Sequence, residues 1–148
     1  LPISFFRTLD LPEQLCFGRE EMVINWLFEN YGYRANCISE EDKAEFLRTY
    51  KKPGAFRALL EIYRALPQDA ADNAAILKER GKLKMPVLAL GGDKAFGRGI
   101  ECIESLRRVA ENVRGGLVKD SGHWVAEEQP EFLTDELLKL FAEFPISR

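Results

Sequence analysis

The sequence contains a single histidine, His123, so any chemistry near neutral pH that needs an imidazole must use this residue. The three cysteines, Cys16, Cys37 and Cys102, are too widely spaced for a zinc site, and their odd number does not fit a framework of paired disulfides. We therefore expect free thiols in a reducing, cytoplasmic compartment, and a protein with neither a metal ion nor a cofactor.

The sequence has no excess of positive charge, since 21 Lys and Arg residues stand against 24 Asp and Glu residues. This balance argues against a nucleic-acid partner, which requires many cations to neutralise phosphates. No stretch reaches the roughly eighteen consecutive apolar residues of a membrane-spanning helix. A Gly-x-Ser-x-Gly nucleophile motif and a Gly-x-Gly-x-x-Gly nucleotide motif are also absent. The 148 residues, 46% of them hydrophobic, are enough for one ordinary globular domain.

The first 81 residues have the pattern of a helical region. Asp10 marks one helix start, and Ser39, with Asp42 at the capping-box position, marks another. A third helix carries Tyr63 on its apolar stripe and is predicted to end at Pro67. A separate fourth helix is predicted from about residue 70 to residue 80, where Gly81 follows as a stop signal.

From residue 82 to residue 148 the pattern changes to alternating strands and helices. The predicted elements are a buried strand at 87–90 that ends in two glycines, a helix over 100–112, a strand around 116–118 and a final helix over 130–144. A crossover of this length implies parallel strands. Two strands cannot complete such a sheet, so we interpret the chain as the C-terminal part of a larger α/β fold whose earlier strands lie upstream of Leu1.

Four acidic or basic positions are candidates for chemistry in the C-terminal region. His123 follows the second strand, at the edge where open α/β sheets bind ligands, although a loop histidine there can equally serve local hydrogen bonds. Asp93 follows the first strand and could orient His123, but we favour a loop carboxylate held by Lys94. Glu127 and Glu128 are interpreted as exposed charges at a helix entry.

Several motifs occur in the order found in one known family. They are Asp10-Leu11-Pro12-Glu13, Gly18-Arg19-Glu20, Pro53-Gly54-Ala55, the run from Glu61 to Leu66, the run from Met85 to Gly92, and Asp120-Ser121-Gly122-His123-Trp124. This series resembles α/β-hydrolases of the epoxide hydrolase-like family. The resemblance implies a helical cap over residues 1–81 and the last two strand–helix units of the hydrolase core over residues 82–148.

The resemblance also implies a two-step reaction on a small-molecule epoxide. An aspartate upstream of Leu1 would form an ester with the substrate, and His123 would activate the water that hydrolyses it. Tyr63 matches the cap tyrosine that hydrogen-bonds the epoxide oxygen, and Phe6 and Trp124 are assigned to substrate binding. Without the upstream nucleophile, this segment alone is expected to be inactive.

The sequence departs from the family pattern at two places. Relatives commonly carry a second ring-opening donor where Phe5 and Phe6 stand here, and phenylalanine cannot donate a hydrogen bond. Many relatives also carry the triad acid where Ala95 stands, so we expect that acid upstream, with Asp93 in reserve. A dehalogenase-like activity, in which Trp124 could bind halide, therefore stays open. So does a non-catalytic segment that forms a homo-oligomer or associates with the missing N-terminal half.

Overall fold

The computed structural model describes residues 2–145 as helices and a pair of strands. In chain order the elements are α1 (Pro2–Arg7), α2 (Leu11–Cys16), α3 (Glu20–Tyr31), α4 (Glu40–Tyr50), α5 (Ala55–Arg80), β1 (Leu83–Gly92), α6 (Glu101–Arg107), β2 (Ala110–Val118), α7 (Val125–Glu128) and α8 (Pro130–Glu143). The predicted order of helices followed by strand, helix, strand and helix is confirmed, with α7 as an additional short helix.

The described residues form two compact units. The first unit comprises the part up to Leu27 together with Ser39–Arg80, and the second comprises Phe28–Ile38 together with the part from Gly81 onwards. Residues 28–38 therefore group with the strands, although they lie in the region that the sequence assigns to the cap. The boundary between a cap over 1–81 and a core over 82–148 stays a prediction.

The first unit consists of helices. The predicted cap residue is confirmed at the start of α4 but not at the start of α2. Ser39 caps α4 as predicted, because its hydroxyl oxygen accepts the Asp42 N–H at 3.1 Å. Asp10 directly precedes α2, but it has a φ of 63° and its carboxylate makes no cap hydrogen bond. That carboxylate lies 3.3 Å from the Arg57 guanidinium instead.

The predicted helix end at Pro67 is wrong, since α5 continues through Pro67 to Arg80. A proline inside a helix has no N–H for the carbonyl four residues earlier. The flanking residues are rich in Ala, which favours helix. The carbonyl that loses this partner belongs to the half-buried Tyr63, and residues 65–76 are exposed. The predicted fourth helix is thus the second half of α5.

The second unit is built on a pair of parallel strands. Residues 86–92 of β1 pair in register with residues 112–118 of β2, and Gly92 lies opposite Val118. The predicted helix over 100–112 ends at Arg107, because Ala110 already pairs with Leu83. Long-range strand pairing has overridden the local helical spacing of the apolar residues there. The final helix is confirmed as α8.

No helix within residues 2–145 combines the length and the apolar character that crossing a bilayer requires. The same residues contain no group of three His, Cys, Asp or Glu side chains arranged to hold a metal ion. The thiols of Cys16, Cys37 and Cys102 are free.

An ion-pair network fixes the helices of the first unit to one another. The Arg64 guanidinium on α5 donates to both carboxylate oxygens of Glu13 on α2, at 2.7 and 3.0 Å, and to the Thr8 carbonyl at 2.7 Å. Only 9% of the Arg64 side chain is exposed. Because Arg64 is the main partner of this carboxylate, the pKa of Glu13 lies below its ordinary value.

The lowered pKa of Glu13 predicts a loss of stability on acidification. The folded chain gains stability from Glu13 above the unfolded pKa and loses it as the pH falls through the folded pKa. Urea unfolding should therefore show Glu13→Gln to be less stable than the parent at about pH 7, and this gap should close towards about pH 3. Glu45→Gln is the control, because its exposed pair with Arg48 should contribute little. A Glu13→Gln gap of constant size across the pH range would contradict the assignment.

Candidate active site

The candidate site of the second unit lies at the edge where both parallel strands end. The Asp93 N–H donates to the Val118 carbonyl at 3.0 Å, and the Lys94 N–H donates to the Ser121 carbonyl at 2.9 Å. These bonds join the segment after β1 to the loop after β2. His123 thus lies on a loop that is attached to the sheet edge, where the strand pattern placed it.

Two glycines allow the histidine loop to pack this tightly. A Cβ on Gly92 would overlap the carbonyl oxygens of Ser121 and Gly122. A Cβ on Gly122 would lie only 2.8 Å from the Tyr31 carbonyl oxygen and the Tyr33 nitrogen. The loop before His123 therefore contacts the end of β1 on one side and the backbone after α3 on the other.

The His123 ring is held by a backbone carbonyl and by aromatic neighbours. Its Nδ1 lies 3.3 Å from the Phe96 carbonyl oxygen, and its backbone N–H donates to the Tyr31 carbonyl at 3.0 Å. A carbonyl oxygen can only accept, so this contact is a hydrogen bond when Nδ1 carries the hydrogen, and Nε2 is then the ring nitrogen that can accept a proton. The Tyr31 and Trp124 rings meet the imidazole edge-on, at centroid distances of 5.5 and 4.8 Å. The imidazole is exposed.

Asp93 is held by its neighbour, as favoured from the sequence. Its carboxylate accepts from the Lys94 ammonium at 2.8 Å, and this contact keeps the pKa of Asp93 below its ordinary value. The ammonium also lies 5.9 Å from the centre of the Tyr33 ring. The His123 Nδ1 faces the Phe96 carbonyl rather than this carboxylate.

The interpretation of Glu128 as an exposed helix-entry charge is wrong. The residue is 0% exposed, whereas its neighbour Glu127 is exposed. Its carboxylate accepts the backbone N–H groups of Tyr33, Arg34, Gly122 and Trp124 at 2.8, 2.9, 2.9 and 3.1 Å. No local pattern marks this role, because two of the donors lie more than ninety positions earlier in the sequence.

The indole N–H of Trp124 is hydrogen-bonded within the second unit. The indole Nε1–H donates to the Phe28 carbonyl at 3.2 Å, and the ring meets Phe28 edge-on at 5.4 Å. Its assigned role in substrate binding stays a prediction. Any such contact must come from the ring faces, since the N–H that could bind halide already has an acceptor.

Tyr63 and Phe6 come together in the first unit. Their ring centroids are 5.1 Å apart, where α1 packs on α5. Phe6 is 4% exposed, and Tyr63 is half-buried. The structure thus pairs Tyr63 with Phe6 in one unit and His123 with Trp124 in the other.

The sequence and the fold are similar to those of known proteins, including two that are named as epoxide hydrolases. No family model matches the chain. The chain is 40% identical over 113 residues to the soluble epoxide hydrolase of Corynebacterium sp. (strain C12), a match that covers 76% of this chain and 38% of that protein. It superposes on Cfl2 from Burkholderia cenocepacia with a TM-score of 0.87 and 36% identity, covering 95% of this chain and 47% of that one. The epoxide hydrolase CorEH gives a TM-score of 0.79 and 34% identity, covering 94% of this chain and 49% of that one.

The chain spans less than half the length of each of these proteins. Nearly all of its own length is matched in the two solved structures, and both the helical region and the strand pair are included in that match. The chain is therefore similar to these proteins in both backbone fold and sequence. The chain thus has the fold of the C-terminal part of an α/β-hydrolase, and its sequence is similar to that of epoxide hydrolases.

Proposed function

We propose that these residues form the part of an epoxide hydrolase that supplies the water-activating base and a cap tyrosine. The presentation of His123 is the observation that carries this proposal. The ring lies at the carboxyl edge of a parallel strand pair, with Nδ1 held by the Phe96 carbonyl. Nε2 is then the nitrogen that can accept a proton from water.

The proposed reaction has two steps. An aspartate outside these residues attacks an epoxide carbon, the carbon–oxygen bond breaks, and the Tyr63 hydroxyl donates a hydrogen bond to the oxygen that gains negative charge. His123 Nε2 then takes a proton from water, and the resulting hydroxide attacks the ester carbonyl. The protonated His123 returns its proton to the alkyl oxygen as the ester bond breaks. The new carboxyl group releases its proton to solvent, which supplies the proton taken up by the oxygen of the opened epoxide, so the diol leaves and the aspartate is restored. The substrate is a small molecule, as it is for the matched relatives' named activity.

A dehalogenase-like activity is a second candidate because of Phe6. This residue lies against Tyr63 where relatives commonly carry a second donor, and a phenyl ring cannot donate to an epoxide oxygen. A haloalkane would pass through the same aspartyl ester without needing that donor. The indole N–H of Trp124 is bonded to Phe28, so halide would need other donors.

Apolar side chains exposed in the second unit support association with further polypeptide. On the strands, Met85 and Leu117 are 58% and 54% exposed, and on α8, Leu138 and Phe141 are 61% and 54% exposed. Surfaces of this kind favour contact with another chain or segment. We propose that the missing N-terminal half of the hydrolase, or a second copy of the chain, covers them. A reducing, cytoplasmic location fits the three free thiols.

Replacing His123 should separate the two chemical steps. In the protein encoded by the full reading frame that contains these residues, His123→Gln should still form the ester but should hydrolyse it at least a hundredfold more slowly. Intact-protein mass spectrometry should then find an adduct that adds the whole mass of the epoxide. A haloalkane adduct would instead add the substrate mass less hydrogen halide. Full turnover by the variant, with no adduct, would eliminate His123 as the base.

Replacing Tyr63 should affect the other step. Tyr63→Phe should slow ester formation about ten- to a thousandfold, because one hydrogen bond to the developing oxyanion is lost. Tyr50→Phe, the same change elsewhere in the first unit, is the control. Single-turnover alkylation measures the step directly. An unchanged rate with an epoxide would remove Tyr63 from the mechanism, and a rate reduced for epoxides but not for haloalkanes would support it.

A further inference from the structure

A buried carboxylate lies beneath the histidine loop, and the proposed reaction does not use it. Glu128 is 0% exposed and accepts four backbone N–H groups, two on each oxygen. The donors to Oε2 are Tyr33 and Arg34, and the donors to Oε1 are Gly122 and Trp124. An ionised carboxylate is an acceptor only, so this all-donor environment matches it.

The two oxygens of Glu128 hold two different segments. Gly122 and Trp124 flank His123 on either side, whereas Tyr33 and Arg34 follow the end of α3. The same two segments are joined by the His123 N–H to the Tyr31 carbonyl and by the Trp124 indole to the Phe28 carbonyl. The Glu128 carboxylate is therefore the central bridge between the histidine loop and residues 28–34.

This bridge also fixes what surrounds the imidazole. Tyr31 meets the His123 ring edge-on and stacks on Phe96 at a centroid distance of 4.5 Å. Phe96 in turn provides the carbonyl that faces Nδ1. A loop that moved away from residues 31–34 would lose Tyr31 as a neighbour and would misplace Nδ1 relative to its acceptor.

We propose that Glu128 is a positioning residue that holds His123 in one orientation and one tautomer. It does not touch the reacting atoms. It ties the backbone on both sides of His123 to the segment that carries Tyr31, so the ring is oriented before substrate binds. The description of His123 as the base rests on the proposed function, whereas its orientation by Glu128 does not.

Glu128→Gln is the sharpest variant because it preserves size and shape. A glutamine amide has one acceptor and one donor end, so in either rotamer its NH₂ group faces two backbone N–H donors. One of the two segments must then lose its acceptor. Glu127→Gln makes the same substitution at the exposed neighbouring position and serves as the matched control. Glu128→Asp keeps the charge with a shorter reach and tests for partial rescue.

The single histidine makes the first test direct. In the 148-residue chain, imidazole nitrogen NMR signals can come only from His123. The parent and Glu127→Gln should show the tautomer with hydrogen on Nδ1. Glu128→Gln should show imidazole nitrogen signals averaged between the two tautomers. Its Gly122 and Trp124 amide hydrogens should exchange at least tenfold faster than those of the parent, whereas the amide exchange rates of β1 and β2 should not change. A folded Glu128→Gln with parent-like ring signals and loop exchange would overturn the proposal.

A measurement on the parent alone keeps the proposal testable if the variant does not fold. The amides of Tyr33, Arg34, Gly122 and Trp124 share one acceptor group, so they should exchange slowly and with similar rates. Exchange of Gly122 and Trp124 at the rate of an unprotected loop would overturn the proposal.

The second test separates positioning from general stability in the protein encoded by the full reading frame. Glu128→Gln should lower the rate of ester hydrolysis tenfold or more, leave single-turnover ester formation unchanged, and be partly rescued by Glu128→Asp. Equal losses in both steps would instead indicate a structural role only and would overturn the proposal. If His123→Gln forms no adduct while the NMR result holds, the proposed hydrolysis fails and the orientation of His123 by Glu128 stands.

Discussion

The parallel pairing of β1 with β2 is the constraint on which the second unit depends. Its register sets Gly92 opposite Val118, and the bonds from Asp93 and Lys94 to the loop after β2 continue the ladder beyond both strands. Gly115 keeps this register, since a Cβ there would overlap the Ala89 carbonyl. The place of His123 at the sheet edge is therefore set by the backbone pairing of β1, β2 and the loop that follows them. The contacts of the imidazole and of Glu128 then set the orientation of the ring.

Features with local signals could be predicted from the sequence, and features made by distant partners could not. The apolar run before Gly91 and the loop before His123 are local, so the strand edge and its histidine were predictable. The end of α6 depends on Ala110 pairing with Leu83, and α5 continues through Pro67 although a proline usually ends or kinks a helix. Neither follows from the spacing of apolar residues within the segment itself.

The Phe6–Tyr63 pair has a consequence for the proposed chemistry. A buried phenyl ring beside the phenol contributes shape and an apolar surrounding, but no second hydrogen bond. A low local dielectric strengthens the bond that Tyr63 can donate. In the proposed reaction Tyr63 then stabilises the developing oxyanion without a second donor from position 5 or position 6. Substrates that need less stabilisation of the leaving oxygen, or that release halide, would be the ones favoured by this arrangement.

The surroundings of Glu128, the last residue of α7, explain why an acidic side chain is buried here. The N–H groups of Tyr33, Arg34, Gly122 and Trp124 lie outside the strands, so they have no ladder partners there. Each buried N–H left without an acceptor costs about 1–3 kcal/mol. An apolar side chain at position 128 would leave the buried Gly122 N–H and three partly buried N–H groups without this acceptor, and a neutral amide could serve only one pair. The cost of burying the carboxylate is thus offset by its four backbone hydrogen bonds, and the histidine between two of the donors is held in place as a result.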